Sequence, residues 1–310
     1  MECPKVPYSG LFFFLLYIND IKDVSNVVTP IIFADDTSLF IRGGSVEDTF
    51  SSLNQELIKI KDWLGANKLS LNLEKTHYIV FRSARSRRVL NDNILKIDNC
   101  IIERVEHIKF IGVTVDAKLT WVNHIKSVKS KVAKGIGVLA KARKYVDTTS
   151  LKLLYNSIIY SHLNYCVEVW GNAANIHINS LFKLQKKAVR LIKNASFMAS
   201  TDPIFKSMKS LKLTDIFAVC TLTFVFKFVK GMLPEVFYEF YKRNNRVISR
   251  QTRQSNKLYI PIAKSALYEK TIRINGAKYW NNIDDIIDYN CSLHTFKKRL
   301  KNHFISKLSS

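Results

Sequence analysis

Cysteine is scarce in this chain, and its spacing fits neither a disulfide framework nor a structural zinc site. The sequence has 310 residues and five cysteines, and it contains no Cys-x-x-Cys. An odd number of widely spaced cysteines argues against a disulfide framework, and a structural zinc site needs four close ligands. His162 and Cys166 stand four residues apart, but two ligands do not make such a site. We therefore predict that both are packing residues.

The chain also has no hydrophobic run long enough to cross a bilayer. The apolar run at residues 11–18 follows Lys5, and Asp20 and Lys22 come directly after it without a small-residue cleavage site. We expect neither a signal peptide nor a transmembrane segment. The expectation is an intracellular protein of the cytoplasm or the nucleus, without a membrane partner.

Acidic residues are few relative to basic ones. Lys and Arg number 48 against 25 Asp and Glu, which gives a net charge of +23, and 47% of the residues are hydrophobic. The hydrophobic content is enough for one large or two modest domains. The distributed positive charge favours polyanions, with nucleic acid ahead of an anionic membrane surface. Outside one acidic pair, the acids and histidines are too scattered to indicate an endonuclease site.

That acidic pair lies in an apolar stretch at residues 31–41. β-forming residues surround Asp35 and Asp36, so the pattern predicts a hairpin with both carboxylates at its tip. Adjacent carboxylates repel each other, and a divalent cation such as Mg²⁺ or Mn²⁺ between them would relieve that repulsion. The alternative is an Asp-rich turn whose side chains accept hydrogen bonds from local amides.

The flanking motifs resemble the palm of reverse transcriptases from non-LTR retrotransposons of the jockey type. The resemblance is carried by Phe33-Ala34-Asp35-Asp36, by Leu15-Leu16-Tyr17-Ile18-Asn19-Asp20-Ile21 before it, and by Leu71-Asn72-Leu73-Glu74-Lys75-Thr76 after it. It implies RNA-directed DNA polymerase activity, with Asp35 and Asp36 as catalytic metal ligands. It also places Lys75 near the incoming nucleotide, where its charge would act on the leaving pyrophosphate. The alternative for Lys75 is a solvated loop lysine.

A second segment resembles the primer grip of the same family. It runs through Phe110-Ile111-Gly112 to Leu119-Thr120-Trp121 and His124-Ile125. A hairpin that holds a primer end needs glycine for close approach and an apolar anchor for rigidity. The resemblance therefore implies nucleic-acid contacts at Phe110, Gly112 and Trp121.

Two basic segments complete the candidate nucleic-acid surface. One is a loop with Arg85, Arg87 and Arg88, and the other is a helix predicted over residues 122–145 with Lys126, Lys129 and Lys134. Arginine and lysine suit phosphate oxygens. The alternative is a solvated basic loop and a solvated helix face, which is the usual meaning of lysines this frequent on one helix.

The predicted fold is α+β: a partial polymerase palm, an antiparallel sheet with covering helices, followed by a mainly helical thumb and C-terminal region. Domains are expected at residues 1–118, 119–200 and 201–310. Within the first, we predict a buried helix over residues 11–21, a helix capped by Ser45 and a strand over residues 69–73. Helices are also predicted over residues 151–169, 181–192, 265–282 and 292–308.

The resemblance further implies a third metal-binding Asp and a fingers region, both of which would precede residue 1. The expectation is a C-terminal fragment that is inactive as an isolated chain, unless an upstream or partner chain supplies the missing palm and fingers. Its partners would be an RNA template, a DNA primer and deoxynucleoside triphosphates. One alternative is a non-catalytic nucleic-acid-binding protein derived from a reverse transcriptase. The other is a decayed reading frame with no selected function.

Overall fold

The computed structural model describes residues 8–82, 94–244, 257–283 and 290–308. It divides the chain into two compact units, Met1–Lys118 and Leu119–Ser310. The predicted phosphate contacts Arg85, Arg87 and Arg88 lie outside the described residues. In the part of the chain that is described, no helix has both the length and the apolar content to cross a membrane.

The first unit combines two α-helices with eight short strands in the ranges described. The helices are α1 (Tyr8–Ile18) and α2 (Val46–Ala66), and 3-10 turns cover Asn19–Asp23 and Leu73–Lys75. The strands are β1 (Thr29–Phe33), β2 (Asp36–Phe40), β3 (His77–Tyr78), β4 (Lys96–Ile97), β5 (Cys100–Ile101), β6 (Glu103–Arg104), β7 (His107–Phe110) and β8 (Val113–Asp116). They form four two-stranded sheets: β1–β2, β4–β5 and β7–β8 are antiparallel, and β3–β6 is parallel. The mixture is compatible with the α+β class, but the described strands do not join into one antiparallel sheet.

Helix α2 is the main packing element of the first unit. The Ser45 side chain accepts a hydrogen bond from the Asp48 N–H, which confirms the predicted cap. Phe50 and Leu57 pack with residues of the β4–β5 region, and Ile60 packs with Ile18 and Ile21. The helix therefore covers two small hydrophobic clusters.

The prediction of a buried helix over residues 11–21 is wrong in its burial. Phe12, Phe13 and Leu16 are 60%, 65% and 58% exposed, and the helix gives way to a 3-10 turn after Ile18. Helix α1 is apolar on all sides, but the cluster beneath it contacts only the face that carries Phe14 and Ile18.

The strand predicted over residues 69–73 is also absent from the described structure. Those residues lead instead into the 3-10 turn Leu73–Lys75. The Asn72 side chain accepts a hydrogen bond from the Lys75 N–H. Such a local bond stabilises a turn at the expense of a strand.

The second unit is mainly helical in its described ranges, with one isolated antiparallel bridge between Arg243 and Leu258. Its helices are α3 (Val122–Ala142), α4 (Thr148–Tyr155), α5 (Ser161–Asn164), α6 (Val167–Trp170), α7 (Asn175–Ile192), α8 (Asp202–Ser207), α9 (Leu213–Val229), α10 (Ala266–Glu269), α11 (Ile272–Asn281) and α12 (Leu293–Ser306). Helices α3 and α7 pack together in one hydrophobic cluster, and α9, α11 and α12 form most of a second. Helix α9 contributes to both, through Ile216 and Phe226 respectively.

Three of the four predicted helices after residue 150 differ in their limits, and one matches. The segment predicted as one helix over residues 151–169 contains a π-helical turn at Asn156–Tyr160, and it breaks before α6 at Cys166, where φ is 48°. Helix α7 begins at Asn175, before the predicted residue 181, and the segment predicted over residues 265–282 is two helices, α10 and α11. Helix α12 is confirmed, with Ser292 accepting a hydrogen bond from the Thr295 N–H as its cap.

Candidate functional site

Strands β1 and β2 form the predicted hairpin around the acidic pair. Phe33 pairs with Asp36 at the end of the ladder, so Ala34 and Asp35 alone make the turn. Ala34 has a φ of 53°, the left-handed conformation that tight hairpin turns require at their first position. Asp35 therefore lies in the turn, and Asp36 is the first residue of β2.

One face of the hairpin packs on a hydrophobic cluster. Ile32 and Leu39 pack on the cluster of Ile18, Ile21 and Ile60. Because side chains alternate along a strand and paired residues share a face, Asp36 lies on the other face, with Phe33 and Phe40. Asp35 and Asp36 are both exposed. The packed face fixes the hairpin, and the acidic pair is presented to solvent.

Asp35 and Asp36 lack the contacts that an Asp-rich structural turn would show. Within the described ranges, neither carboxylate has a hydrogen bond or an ion pair. The alternative in which these side chains bond local amides is therefore not what the structure shows. Both carboxylates are accessible to a ligand from solvent.

The donor set fits a hard divalent cation. Mg²⁺ takes one or two protein carboxylates and completes its coordination with water and substrate phosphates. The described residues contain no group of three or more His, Cys, Asp or Glu side chains that would hold a metal ion by themselves. Asp35 and Asp36 would thus hold such an ion only in part, with oxygens from elsewhere completing the shell.

Lys75 is exposed at the end of the 3-10 turn Leu73–Lys75, and its backbone N–H is held by Asn72. In the part of the chain that the structure describes, no hydrogen bond or ion pair joins its ammonium to Asp35 or Asp36. The side chain is available to an anionic ligand. Its role at the leaving group remains a prediction from the resemblance.

The segment with the primer-grip pattern is also a hairpin. Phe110 pairs with Val113, so Ile111 and Gly112 form a two-residue turn between β7 and β8. Their φ angles are 43° and 78°, and positive values at both central residues are the signature of a type I′ turn. Gly112 is needed for this backbone conformation, whatever its role in close approach. Ile111 is a β-branched residue in the same strained region.

Phe40 and Phe110 join the two hairpins. Their ring centroids are 6.1 Å apart and the ring planes are nearly perpendicular. Phe40 shares the exposed face of β2 with Asp36. Phe40 lies outside the motifs that carry the resemblance, and the period-two alternation of side chains along β2 is the sequence signal that places it on the face of Asp36.

The remaining predicted contacts lie in the second unit, at the start of α3. Trp121 precedes the helix with a φ of 65° and packs against the hydrophobic cluster of α3 and α7. Lys126 and Lys134 are exposed and Lys129 is half-buried. Among the described residues none of the three lysines has an ion pair, so their charges are not neutralised within the unit.

His124 belongs to the same motif but lies in the core. It is 5% exposed, and its ring centroid is 5.4 Å from that of Trp170. Burial, with a smaller effect from Lys131, lowers the pKa of His124. A buried, neutral imidazole next to an indole is a packing residue, which accounts for this part of the motif without a ligand.

The chain is similar to several proteins of mobile elements. It is 28% identical over 187 residues to the RNA-directed DNA polymerase from mobile element jockey of Drosophila melanogaster, covering 59% of this chain and 20% of that protein. It is 22% identical over 270 residues to the probable RNA-directed DNA polymerase from transposon X-element of the same species, covering 84% and 27%. The retrovirus-related Pol polyprotein from type-1 retrotransposable element R1 2 of Nasonia vitripennis is 21% identical over 178 residues, covering 54% and 43%.

The chain thus spans about a fifth of the length of the jockey protein. No model of a known protein family and no solved structure matches it. The regions of similarity include up to 84% of the chain.

Proposed function

Because the homologues of this chain are RNA-directed DNA polymerases of non-LTR retrotransposons, we propose that it carries part of the polymerase active site of such an element. The observation that supports this most directly is the hairpin of Asp35 and Asp36. It presents two adjacent carboxylates to solvent without any protein partner in the described ranges. Such a pair is open to a divalent cation, which the polymerase reaction requires.

In the proposed reaction the 3′-hydroxyl of a primer attacks the α-phosphate of a deoxynucleoside triphosphate, and pyrophosphate leaves. Asp35 and Asp36 would hold Mg²⁺ or Mn²⁺ at the reacting phosphate. When bound there, the ion lowers the pKa of the attacking hydroxyl and neutralises charge on the phosphate oxygens. Lys75 donates a hydrogen bond to the departing pyrophosphate, which stabilises its developing negative charge.

The hairpin of β7 and β8 holds the primer end in this proposal. Its type I′ turn is compact, and Phe110 anchors it against Phe40 on the exposed face of β2. A primer terminus held by a rigid hairpin reacts faster because its orientation is fixed before the chemical step. The lysines of α3, Lys126, Lys129 and Lys134, contact the phosphates of the template–primer duplex.

The proposal includes a requirement for further ligands. Two carboxylates on one hairpin do not complete a two-metal site, so a third carboxylate and the nucleotide-binding fingers come from another segment or another chain. We therefore expect primer extension by this chain alone to be slow or absent. Adding a second polypeptide that carries the third carboxylate and the fingers should increase it.

Primer extension tests the proposal. The chain is incubated with an RNA template, an annealed DNA primer, deoxynucleotides and Mg²⁺. The reaction is run with and without the second polypeptide that carries the third carboxylate and the fingers. The double variant Asp35→Asn/Asp36→Asn is compared with the control Asp20→Asn/Asp23→Asn, which removes the same charge from exposed positions of the same unit. Extension in the parent and the control, and none in the first variant, supports the enzyme. Equal extension in all three excludes the acidic pair as the site.

A non-catalytic nucleic-acid-binding protein is the second candidate. The net charge of +23 and the unneutralised lysines of α3 favour it. It predicts salt-sensitive binding that tolerates any sequence and is unchanged by Asp35→Asn/Asp36→Asn. Binding without extension in every combination of chains would support this function over the enzyme.

A further inference from the structure

Helix α7 carries a basic face that its own unit does not neutralise. Its buried positions follow one side of the helix, and the opposite side carries Lys183, Lys186, Lys187 and Arg190. Helix α7 contains no acidic residue. In the described ranges none of these four cations has an ion pair with an acid. Like charges three and four residues apart repel on a helix, so this face is stabilised when a polyanion lies along it.

The same face contains an open depression of about 440 Å³. The lining residues offer an aromatic ring, two cations and small polar groups; they are Ile176, Asn179, Ser180, Phe182, Lys183 and Lys186.

Phe182 has the position of a stacking platform. One side of its ring packs on Phe205, at 6.3 Å between centroids and 24° between planes. The Lys186 ammonium lies 4.8 Å from the centroid of the same ring. The ring is thus held by the core on one side, and a flexible, charged side chain contacts it from the surface.

We propose that the α7 face binds single-stranded nucleic acid, with one base stacked on Phe182 and the flanking phosphates on Lys183 and Lys186. When the base enters, the Lys186 ammonium moves from the ring to a phosphate. Aromatic stacking combined with nearby cations is the usual basis of sequence-tolerant single-strand binding. The proposal is independent of the acidic pair, so a failure of primer extension does not affect it.

A single strand fits this site better than a duplex or a membrane. The bases of a duplex are stacked on one another, and none of them offers a free face to Phe182. A helix that lies on a membrane needs an apolar exposed face. The apolar residues Leu181, Val189 and Ile192 of α7 are buried in the core, and Ile176 is the one strongly exposed apolar side chain in the depression.

Fluorescence anisotropy of the full chain with labelled oligouridine, oligothymidine and a duplex of the same length tests the proposal. The variant Lys183→Gln/Lys186→Gln is compared with Lys227→Gln/Lys230→Gln at the C-terminal end of α9. The control removes the same charge at the same spacing, and its Lys230 also lies over a phenylalanine, Phe226. Phe226 is fully buried, so it offers no platform.

We expect the α7 variant to bind single strands roughly 25-fold more weakly at ~0.1 M salt, with a salt slope lower by about 1.4, because two phosphate contacts are lost. The control should bind like the parent. Phe182→Leu keeps an apolar contact with Phe205 and should weaken single-strand binding at least ~5-fold through lost stacking, with its thermal melt showing an intact fold. Equal binding by both lysine variants overturns the site. Preferential binding of duplex, or of phosphatidylserine vesicles over oligonucleotides, overturns the assigned partner.

Discussion

The ring of Phe110 meets the ring of Phe40 edge to face, with centroids 6.1 Å apart and planes at 82°. Phe40 ends the strand that begins with Asp36, and Phe110 ends the strand that leads into the Ile111-Gly112 turn. The contact therefore links the strand of the acidic pair to the second hairpin. It lies on the face of β2 that Asp36 shares, and not on the face packed into the core.

The first prediction concerns this contact. A double-mutant cycle of Phe40→Leu and Phe110→Leu should give an interaction energy of ~0.5–1.5 kcal/mol, because an edge-to-face pair contributes that much beyond its buried area. The measurement is hydrogen exchange of the β1–β2 and β7–β8 amides, each variant against the parent. Protection should fall in both hairpins when either ring is removed.

Phe33 supplies the control for that cycle. It lies on the same face of the first hairpin and is strongly exposed, and in the described structure its ring has no aromatic partner. Phe33→Leu combined with Phe110→Leu should be additive within ~0.3–0.5 kcal/mol. An equal interaction energy for the Phe33 pair would show that the coupling does not come from the ring contact.

The second prediction concerns the turn of β7 and β8. Ile111 holds a φ of 43°, which costs a β-branched residue about 1–2 kcal/mol and costs asparagine much less. Ile111→Asn should therefore stabilise the hairpin by ~1 kcal/mol, seen as slower exchange of the β7–β8 amides. Ile111→Thr replaces the ethyl group with a hydroxyl but keeps the β-branch, and it should give no such gain. A gain from threonine equal to that from asparagine would place the effect in the lost apolar surface.

Under the polymerase proposal, the role of this turn in holding the primer end explains why the backbone strain at Ile111 is retained. Strained backbone persists at sites where a particular geometry serves binding or catalysis. Ile111→Asn would then be more stable and still extend primers more slowly. This outcome separates a functional turn from one that is merely unfavourable.

The elements that could be predicted from the sequence have local signals. Ser45 and Ser292 each precede an amphipathic run, and both cap helices in the structure. The hairpin of Asp35 and Asp36 follows from β-forming residues around a turn. Such signals act within a few residues, so one sequence is enough to find them.

The features that could not be predicted depend on contacts distant in sequence. The apolar density of α1 indicated burial, but only neighbouring elements decide which of its faces is covered. The Phe40–Phe110 contact joins residues 70 positions apart by their numbering. The sequence predicts a helix over residues 181–192, but the Phe182–Phe205 stacking appears only in the fold.

The third prediction separates two glycines of α3. A methyl group at Gly135 would lie 2.8 Å from Cγ1 of Ile159 and 3.2 Å from the Ile158 carbonyl oxygen, whereas Gly137 has no neighbour within 4 Å. Gly135→Ala should destabilise the second unit by ~1–3 kcal/mol through overpacking. Gly137→Ala should stabilise it by up to ~1 kcal/mol, because alanine is the better helix former.

Urea unfolding followed by tryptophan fluorescence measures both changes. Three of the four tryptophans, Trp121, Trp170 and Trp280, belong to the second unit, so the signal reports mainly on it. The prediction concerns the sign of each change in the free energy of unfolding, and the two changes need not be equal in size. Stabilisation by Gly135→Ala would mean that α3 and the π-helical turn are not in close contact.

The fourth prediction concerns Gln185, a buried polar residue on α7. Its Nε2 donates to the Tyr155 hydroxyl and to the Leu211 carbonyl at 2.9 and 3.0 Å, and its Oε1 accepts from the Leu213 N–H at 2.9 Å. Gln185→Leu would leave these groups buried without a partner and should cost ~3 kcal/mol or more. Gln55→Leu, at an exposed position of α2, should change stability by less than ~0.5 kcal/mol. A cost below ~1 kcal/mol for Gln185→Leu would indicate that water replaces the amide.

The last prediction is a pH dependence at the start of α4. Asp147 caps the helix, and hydrogen bonds from Ser150, then from Thr149, lower the pKa of its carboxyl from 3.8 to about 2. The folded chain therefore holds this proton less tightly than the unfolded chain. The stabilisation is complete above a pH of about 4 and is lost as the pH falls toward about 2.

Asp147→Asn keeps a capping oxygen but has no titrating group, so the stability difference between parent and variant should shrink between about pH 4 and pH 2. Urea midpoints across that range measure the difference. Carbon NMR of the carboxyl should give the pKa directly, and Ser150→Ala should raise it toward its ordinary value, because the strongest hydrogen-bond donor is gone. A difference that stays constant with pH would show that the cap acts through its geometry and not through its charge.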